Sequence, residues 1–180
     1  MTSDLIDKDI GKIRLADDLV ELRPLNADDL EELYSVASDP LIWEQHPKND
    51  RWKRDVFEKF FSKALESKAA LVIFDRKSGD VIGSSRYYDI GKEPDTVAIG
   101  YTFLARKYWG GDHNRAVKHL MLEHAFNFFS RVVFHVGVDN IRSQKAIEKL
   151  GAVRFKELLP DEESDHARYE YLMEKQQFIS

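Results

Sequence analysis

Residues Asn114 to Phe129 carry the feature that most narrows the fold. At 3.6 residues per turn, Val117, Leu120, Met121 and Phe128 mark one side of a helix, and Leu122, Ala125, Phe126 and Phe129 mark another. A helix apolar on two sides must be heavily buried. It is flanked by Thr96–Leu104 and Arg131–Val138, which read as strands, the second mostly apolar as in a sheet interior. Strand, buried helix and interior strand thus follow one another along this stretch.

A chain of 180 residues suits one domain and can bury a core without a disulfide or metal staple. It has no cysteine, which excludes disulfides, a cysteine nucleophile, thiolate zinc sites and cysteine-ligated iron–sulfur clusters. Hydrophobic residues at 43% and charged residues at 33% describe a globular chain, not a disordered one. The apolar runs are far shorter than a membrane span, and the polar start Met1 to Asp9 does not read as a signal peptide. The expectation is a cytoplasmic domain with no membrane partner.

The net charge of −5 is unevenly spread. Residues 1–50 hold 13 acids and 5 bases, whereas residues 101–156 hold 4 acids and 10 bases. The basic stretch is either a site for an anionic ligand or an excess of solvated lysines. A general nucleic-acid binder would be more basic overall, so nucleic acid is not the expected partner.

Along the chain, residues 1–18 read as a loosely attached N-terminal arm and 19–180 as the domain. Leu19 to Leu25 is a short strand, Asn26 an N-cap, and Ala27 to Ala37 a helix stopped by Asp39-Pro40. After the loop Trp43-Glu44-Gln45-His46-Pro47, a second helix runs from Trp52 to Leu65 with an aromatic face. Strands Ala69–Asp75 and Val81–Ile90 form a hairpin across Ser78-Gly79-Asp80, and Thr96–Leu104 follows. The chain closes with a helix to Leu150, Gly151 at its C-terminal cap, and strands Ala152–Glu157 and His166–Lys175.

The loop Trp109 to Arg115 leads from a strand through Gly110-Gly111 into a helix. Glycines permit close approach to the backbone, and the free N–H groups and dipole of a helix start favour an anion. An ordinary turn capped by Asn114 is the competing reading. No Walker or dinucleotide glycine spacing is present.

Three patterns, in this order, carry a resemblance: Ile99-Gly100-Tyr101, then Tyr108-Trp109-Gly110, then Asn140 with Ser143 and Lys149-Leu150-Gly151. From about Leu19 to Lys175 the chain resembles the GNAT N-acetyltransferase superfamily, in particular the branch of ribosomal-protein N-terminal acetyltransferases and their small-molecule relatives. The resemblance implies an α/β (α+β) GNAT fold, with a mixed, mostly antiparallel central sheet splayed into a V and flanked by helices. It implies acetyl-CoA as co-substrate, and acetyl transfer to a primary amine of a small molecule or protein N-terminus by direct attack. The lack of cysteine excludes an acetyl-cysteine route. A homodimer is common in such folds.

By the same resemblance, backbone near Phe103 and Leu104 would bind the pantetheine arm. Trp109, Gly110, Gly111, His113, Asn114 and Arg115 would hold the pyrophosphate, with Asn140 and Ser143 on the other side of the arm. Asp112 departs from the family's small residue, and it either faces the cofactor or caps the helix, with His113 or Asn114 then facing the cofactor. Ile147 stands where many relatives have a tyrosine proton donor, and Ala98 where many have a glutamate. Those two departures motivate an alternative, a non-catalytic coenzyme A-binding sensor module. Contact of the basic stretch with RNA is a further rival.

Ser143 is the candidate donor to the leaving thiolate, or else a helix-surface serine. His46 is the candidate base, with Glu44 beside it, because an unperturbed imidazole titrates near neutrality; the competing reading makes both solvated loop residues. Trp43, Arg86 and Tyr88 are the candidate acceptor-binding residues. His135 reads as a core or cofactor-adjacent residue. No histidine pair has ligand spacing with a supporting carboxylate, so no metal is expected.

Overall fold

Runs of β-branched and aromatic residues build one sheet, and two pairs of helices cover its faces. The computed structural model describes residues 9–179. The strands are β1 (Leu15–Ala16), β2 (Val20–Pro24), β3 (Ala70–Asp75), β4 (Val81–Tyr88), β5 (Thr96–Leu104), β6 (Arg131–Gly137), β7 (Val153–Leu158) and β8 (Arg168–Glu174). The helices are α1 (Leu30–Ala37), α2 (Arg54–Ser67), α3 (His113–Ala125), α4 (Ile141–Lys149) and the short α5 (Lys175–Ile179). The sheet order is β1-β2-β3-β4-β5-β6-β8-β7. Neighbours are antiparallel except for β5 and β6, which are parallel.

On one face, Leu33 and Ala37 of α1 and Phe57 and Phe61 of α2 pack on Val72 and Phe103 of the sheet. On the other, Val117, Met121, Leu122 and Ala125 of α3 pack on Val97, Ile99 and Phe134. Of the residues expected on the two apolar sides, Phe126 packs on Phe178 of α5 with ring centroids 5.2 Å apart, while Phe128 is exposed. Asn26 caps the first helical turn in a capping box with Asp29, which also pairs with Arg23 at 2.7 Å.

Several expected boundaries shift. The first helix opens with a 3₁₀ turn at Ala27–Asp29, and α3 ends at Ala125, not Phe129. The helix α5 was not expected from the sequence.

The N-terminal arm needs correction over its described part. Ile10 is fully buried, His124 Nε2–H donates to the Ile10 carbonyl at 3.1 Å, and β1 pairs with β2. One buried isoleucine and a short strand anchor a segment whose average polarity suggested a free arm. Residues 1–8 of that expectation lie outside the described residues. No described helix is long and apolar enough to cross a membrane.

Candidate active site

The site begins where the parallel pair comes apart. β5 and β6 are in register only at Thr96–Arg131, Val97–Val132 and Ala98–Val133. On its other edge, β5 shifts register against β4 between Ser84 and Arg86. Tyr101 sits at this irregularity with a left-handed φ of +52°, a conformation a bulky side chain rarely adopts. A bulge bends its strand and increases the local twist. The strands splay, and Gly100 to Leu104 line the resulting gap.

This gap opens into a cleft of about 210 Å³. Phe103, Leu104, Trp109 and Gly110 line it from β5 and the following loop, and Asn140 and Ser143 from the start of α4. The Trp109 indole N–H donates to the Leu104 carbonyl at 3.0 Å, tying the loop to the strand. Asn140 caps α4 by accepting from the Ser143 N–H at 3.3 Å. Asn114 lines the cleft from the first turn of α3, where backbone N–H groups have no intrahelical partner. Backbone edges left open by the splay and the nearby helix start fit a long ligand with an anionic end, as acetyl-CoA is.

Three of the loop residues expected to hold the pyrophosphate do not line the cleft. His113 turns back to the sheet, with Nε2 3.0 Å from Asp75 Oδ1. That bond, ahead of the Ser78 contacts, holds the Asp75 carboxyl down to about 2. Gly111 and Arg115 remain exposed outside the lining. Asp112 is exposed and makes no side-chain cap, contrary to one of its two expected roles. As the first residue of α3, His113 projects back toward the end of β3, which separates it from Asn114 beside it.

Lys118 is the unusual lining residue. It lies one turn further along α3, is 5% exposed, and donates to Thr102 Oγ1, which in turn meets Ser85 Oγ at 2.7 Å. It has no ion-pair partner among the described residues. Burial draws its ammonium down to about 7.

A second and larger groove of about 900 Å³ opens beside the cleft. The two share His46, Tyr101, His135 and Gly137. Tyr88 Oη lies 2.7 Å from His135 Nδ1, and His135 Nε2 lies 2.8 Å from Glu170 Oε2. A carboxylate only accepts, so Nε2 carries the imidazole proton and Tyr88 donates to Nδ1. Lys156 stands 3.6 Å from the other Glu170 oxygen. Burial, more than the neighbouring Tyr101, pushes the Tyr88 hydroxyl well above its ordinary range. Gly100 makes room for that ring: a Cβ there would come within 2.9 Å of it. A Cβ on Gly137 would strike Pro47 at 2.6 Å, so this glycine lets the His46 loop close on β6.

The other expected acceptor residues are scattered. Trp43 is buried on the cofactor side, its ring centroid 5.2 Å from that of Phe103. Glu44 is exposed and lines neither cavity, so the pairing of Glu44 with His46 does not form. His46 Nδ1 accepts from the Lys48 N–H at 2.9 Å. Burial, with Arg51 second, holds His46 down to about 3, which makes it a poor proton acceptor. Arg86 is buried with its guanidinium 3.9 Å from the Tyr101 ring centroid.

Arg51, Arg142 and Glu170 are residues that sequence reading missed as site groups. Arg142 stacks 3.7 Å from the Trp109 ring and donates to the Ile42 carbonyl at 3.0 Å, joining α4 to the loop opposite. Glu170 carried no signal in the sequence, because its partner His135 is 35 residues away.

A family model described as an acetyltransferase (GNAT) domain matches residues 20–153. No curated protein matches the sequence significantly. Among solved structures, a GCN5-related N-acetyltransferase from Brucella melitensis superposes with a TM-score of 0.81 at 18% identity, over 93% of this chain and 81% of that one. A spermidine N-acetyltransferase from Vibrio cholerae, in complex with CoA and spermine, gives 0.70 at 16% identity over 91% and 100%. A ribosomal-protein-S5-alanine acetyltransferase from Vibrio fischeri gives 0.69 at 15% over 92% and 98%. At these identities the structural likeness establishes the fold. The family match takes in both splayed strands and the starts of α3 and α4, and on that ground the chain belongs to the GNAT acetyltransferase family.

Proposed function

We propose that this protein is an acetyl-CoA-dependent N-acetyltransferase acting on a primary amine, of a small molecule or a protein N-terminus, by direct attack. The observation that carries the reading is the meeting of the two cavities at His46, Tyr101, His135 and Gly137. A donor in the narrow cleft and an acceptor in the wide groove would touch only there. Bound acetyl-CoA supplies an acetyl group already activated as a thioester. The protein must then orient the amine, accept one proton and donate to the departing sulfur.

His135 is the better base than His46. Glu170 fixes its tautomer, leaves Nδ1 as the accepting atom, and balances the imidazolium as it forms. Tyr88 lies on Nδ1 and lines the groove, so its hydroxyl passes the proton inward from the amine. Ala98 also lines the groove, where many relatives have a glutamate. Here Glu170 supplies the carboxylate from β8 through His135. Across the cleft Ile147 offers no proton, while Ser143 and Lys118 line it from α4 and α3. Ser143 supplies a neutral hydroxyl, and Lys118 in its charged form the stronger donor to a thiolate.

The test is thiol release from acetyl-CoA over a panel of primary amines, with coenzyme A binding measured separately by calorimetry. Steady release with at least one amine is expected. Coenzyme A binding without release across the panel would overturn the transferase reading in favour of a binding module.

A further inference from the structure

We infer that the acceptor groove takes a small amine bearing an oxyanion, carboxylate or phosphate, which Arg51 holds beside the point where the two cavities meet, while Arg86, which lines neither cavity, adds positive charge from against the Tyr101 ring. The inference rests on the acetyltransferase reading of the site.

Arg51 comes from the loop before α2, with its guanidinium carbon 4.6 Å from the Phe60 ring and 5.9 Å from that of Tyr101. Arg86 comes from β4 and lies 3.9 Å from Tyr101 and 5.5 Å from Phe60. Two cations thus share the faces of the same two rings. Neither forms an ion pair among the described residues, and Arg86 Nε is buried with no hydrogen-bond partner. The nearest polar contact of Arg51 is His46 Nε2 at 3.5 Å. Burial, with Arg86 as a neighbouring like charge, draws Arg51 down to about 10, opposed by Tyr101 and Asp50. Ring faces offset part of the cost of desolvating a guanidinium, but they do not fill its in-plane hydrogen bonds.

Elsewhere in the groove several acids are paired, while Glu93, Glu162 and Arg131 line it without an ion pair among the described residues. Asp161 pairs with Arg168 at 3.1 Å, Glu163 with Lys92 at 2.8 Å, and Glu170 with His135 at 2.8 Å. Arg51 touches His46 and Tyr101, which line both cavities, so the unpaired charge at the junction itself is positive. A planar guanidinium recognises carboxylate and phosphate by two parallel hydrogen bonds, which a point cation cannot do. Arg51 lines the groove with His46 and Tyr101, and those two also line the cofactor cleft. An oxyanion on Arg51 thus sits close to the transfer point, which places amine and oxyanion on one small molecule. A polyamine with its second cation at the junction would set that cation against Arg51.

The experiment compares matched acceptors on the wild-type protein with acetyl-CoA. Each L-amino acid is set against its amide, phosphoethanolamine against ethanolamine, and spermidine is included. The best acceptor should carry the oxyanion and lose roughly 100-fold or more in kcat/KM, mostly through KM, when that charge is removed. The pair with the larger ratio separates carboxylate from phosphate. R51Q should collapse the ratio toward one while retaining coenzyme A affinity, and the wild-type comparison stands even if the variant does not fold. A neutral amine or spermidine as best acceptor overturns the inference and leaves the transferase reading intact. If no thiol is released, calorimetry of the coenzyme A-loaded protein with glutarate and with inorganic phosphate decides. Binding that R51Q abolishes supports the oxyanion site while the transferase reading fails, and no binding overturns both.

Discussion

Lys118 places a cation where a helix of this kind should be apolar, and its titration follows from that position. Burial holds it at about 7 in the folded chain, against 10.5 for an ordinary lysine. Between those values the unfolded chain binds a proton that the folded chain does not. Stability therefore rises with pH across that window, by up to about 1.4 kcal/mol per pH unit. Lys118→Met should remove this slope and raise the melting temperature at pH 7. Denaturation midpoints measured from pH 7 to 10 check this, and a slope unchanged in the variant would show that the amine is solvated. At the reacting centre, His135→Gln should lower kcat by roughly 100-fold or more, the usual scale for losing a general base. His46→Ala should leave the shape of the pH–rate profile unaltered, and a flattened profile would return the role to His46. His46 stood out in the sequence because free imidazole titrates near neutrality. Its burial beside Arg51 depends on the packing of the loop, which local sequence does not express.

At the scale of elements, legibility followed periodicity. Thr96–Leu104 matches β5 at both ends, and Arg131–Val138 overshoots β6 by one residue. Asn26 was readable as a cap because an Asx side chain satisfies free N–H groups whatever lies around it. The kink in β5 was not readable. A left-handed tyrosine arises from pairing with β4 on one side and loss of pairing with β6 on the other. Asn140→Ala should cost about 1 kcal/mol, the usual value of an N-cap. It should also raise the KM for acetyl-CoA, since the capped turn carries Ser143 into the cleft. Chemical denaturation and initial-rate kinetics measure the two effects. A stability loss with unchanged KM would confine Asn140 to the helix.

At the scale of the molecule, the N-terminal segment completes the layer over α3. Ile10→Ala should destabilise the protein by about 2–5 kcal/mol, as truncation of a fully buried isoleucine does. It should leave kcat of the folded fraction unchanged, because Ile10 lines neither cavity. A loss below about 0.5 kcal/mol, the range of surface substitutions, would mean that the segment detaches in solution.

The sequence by itself determined the order of strands and helices, the doubly apolar α3, the glycine loop before it and the capped α4. It also determined the family, through motifs carried on those elements. All of these rest on interactions between residues close along the chain, or on residue types that a local conformation demands. Tertiary structure decided which distant residues meet: Tyr88 on β4, His135 on β6 and Glu170 on β8, or Arg51 and Arg86 against Tyr101. It also decided the charge state of Lys118 and His46. Burial and long-range pairing set these properties, and both exist only once distant segments have packed.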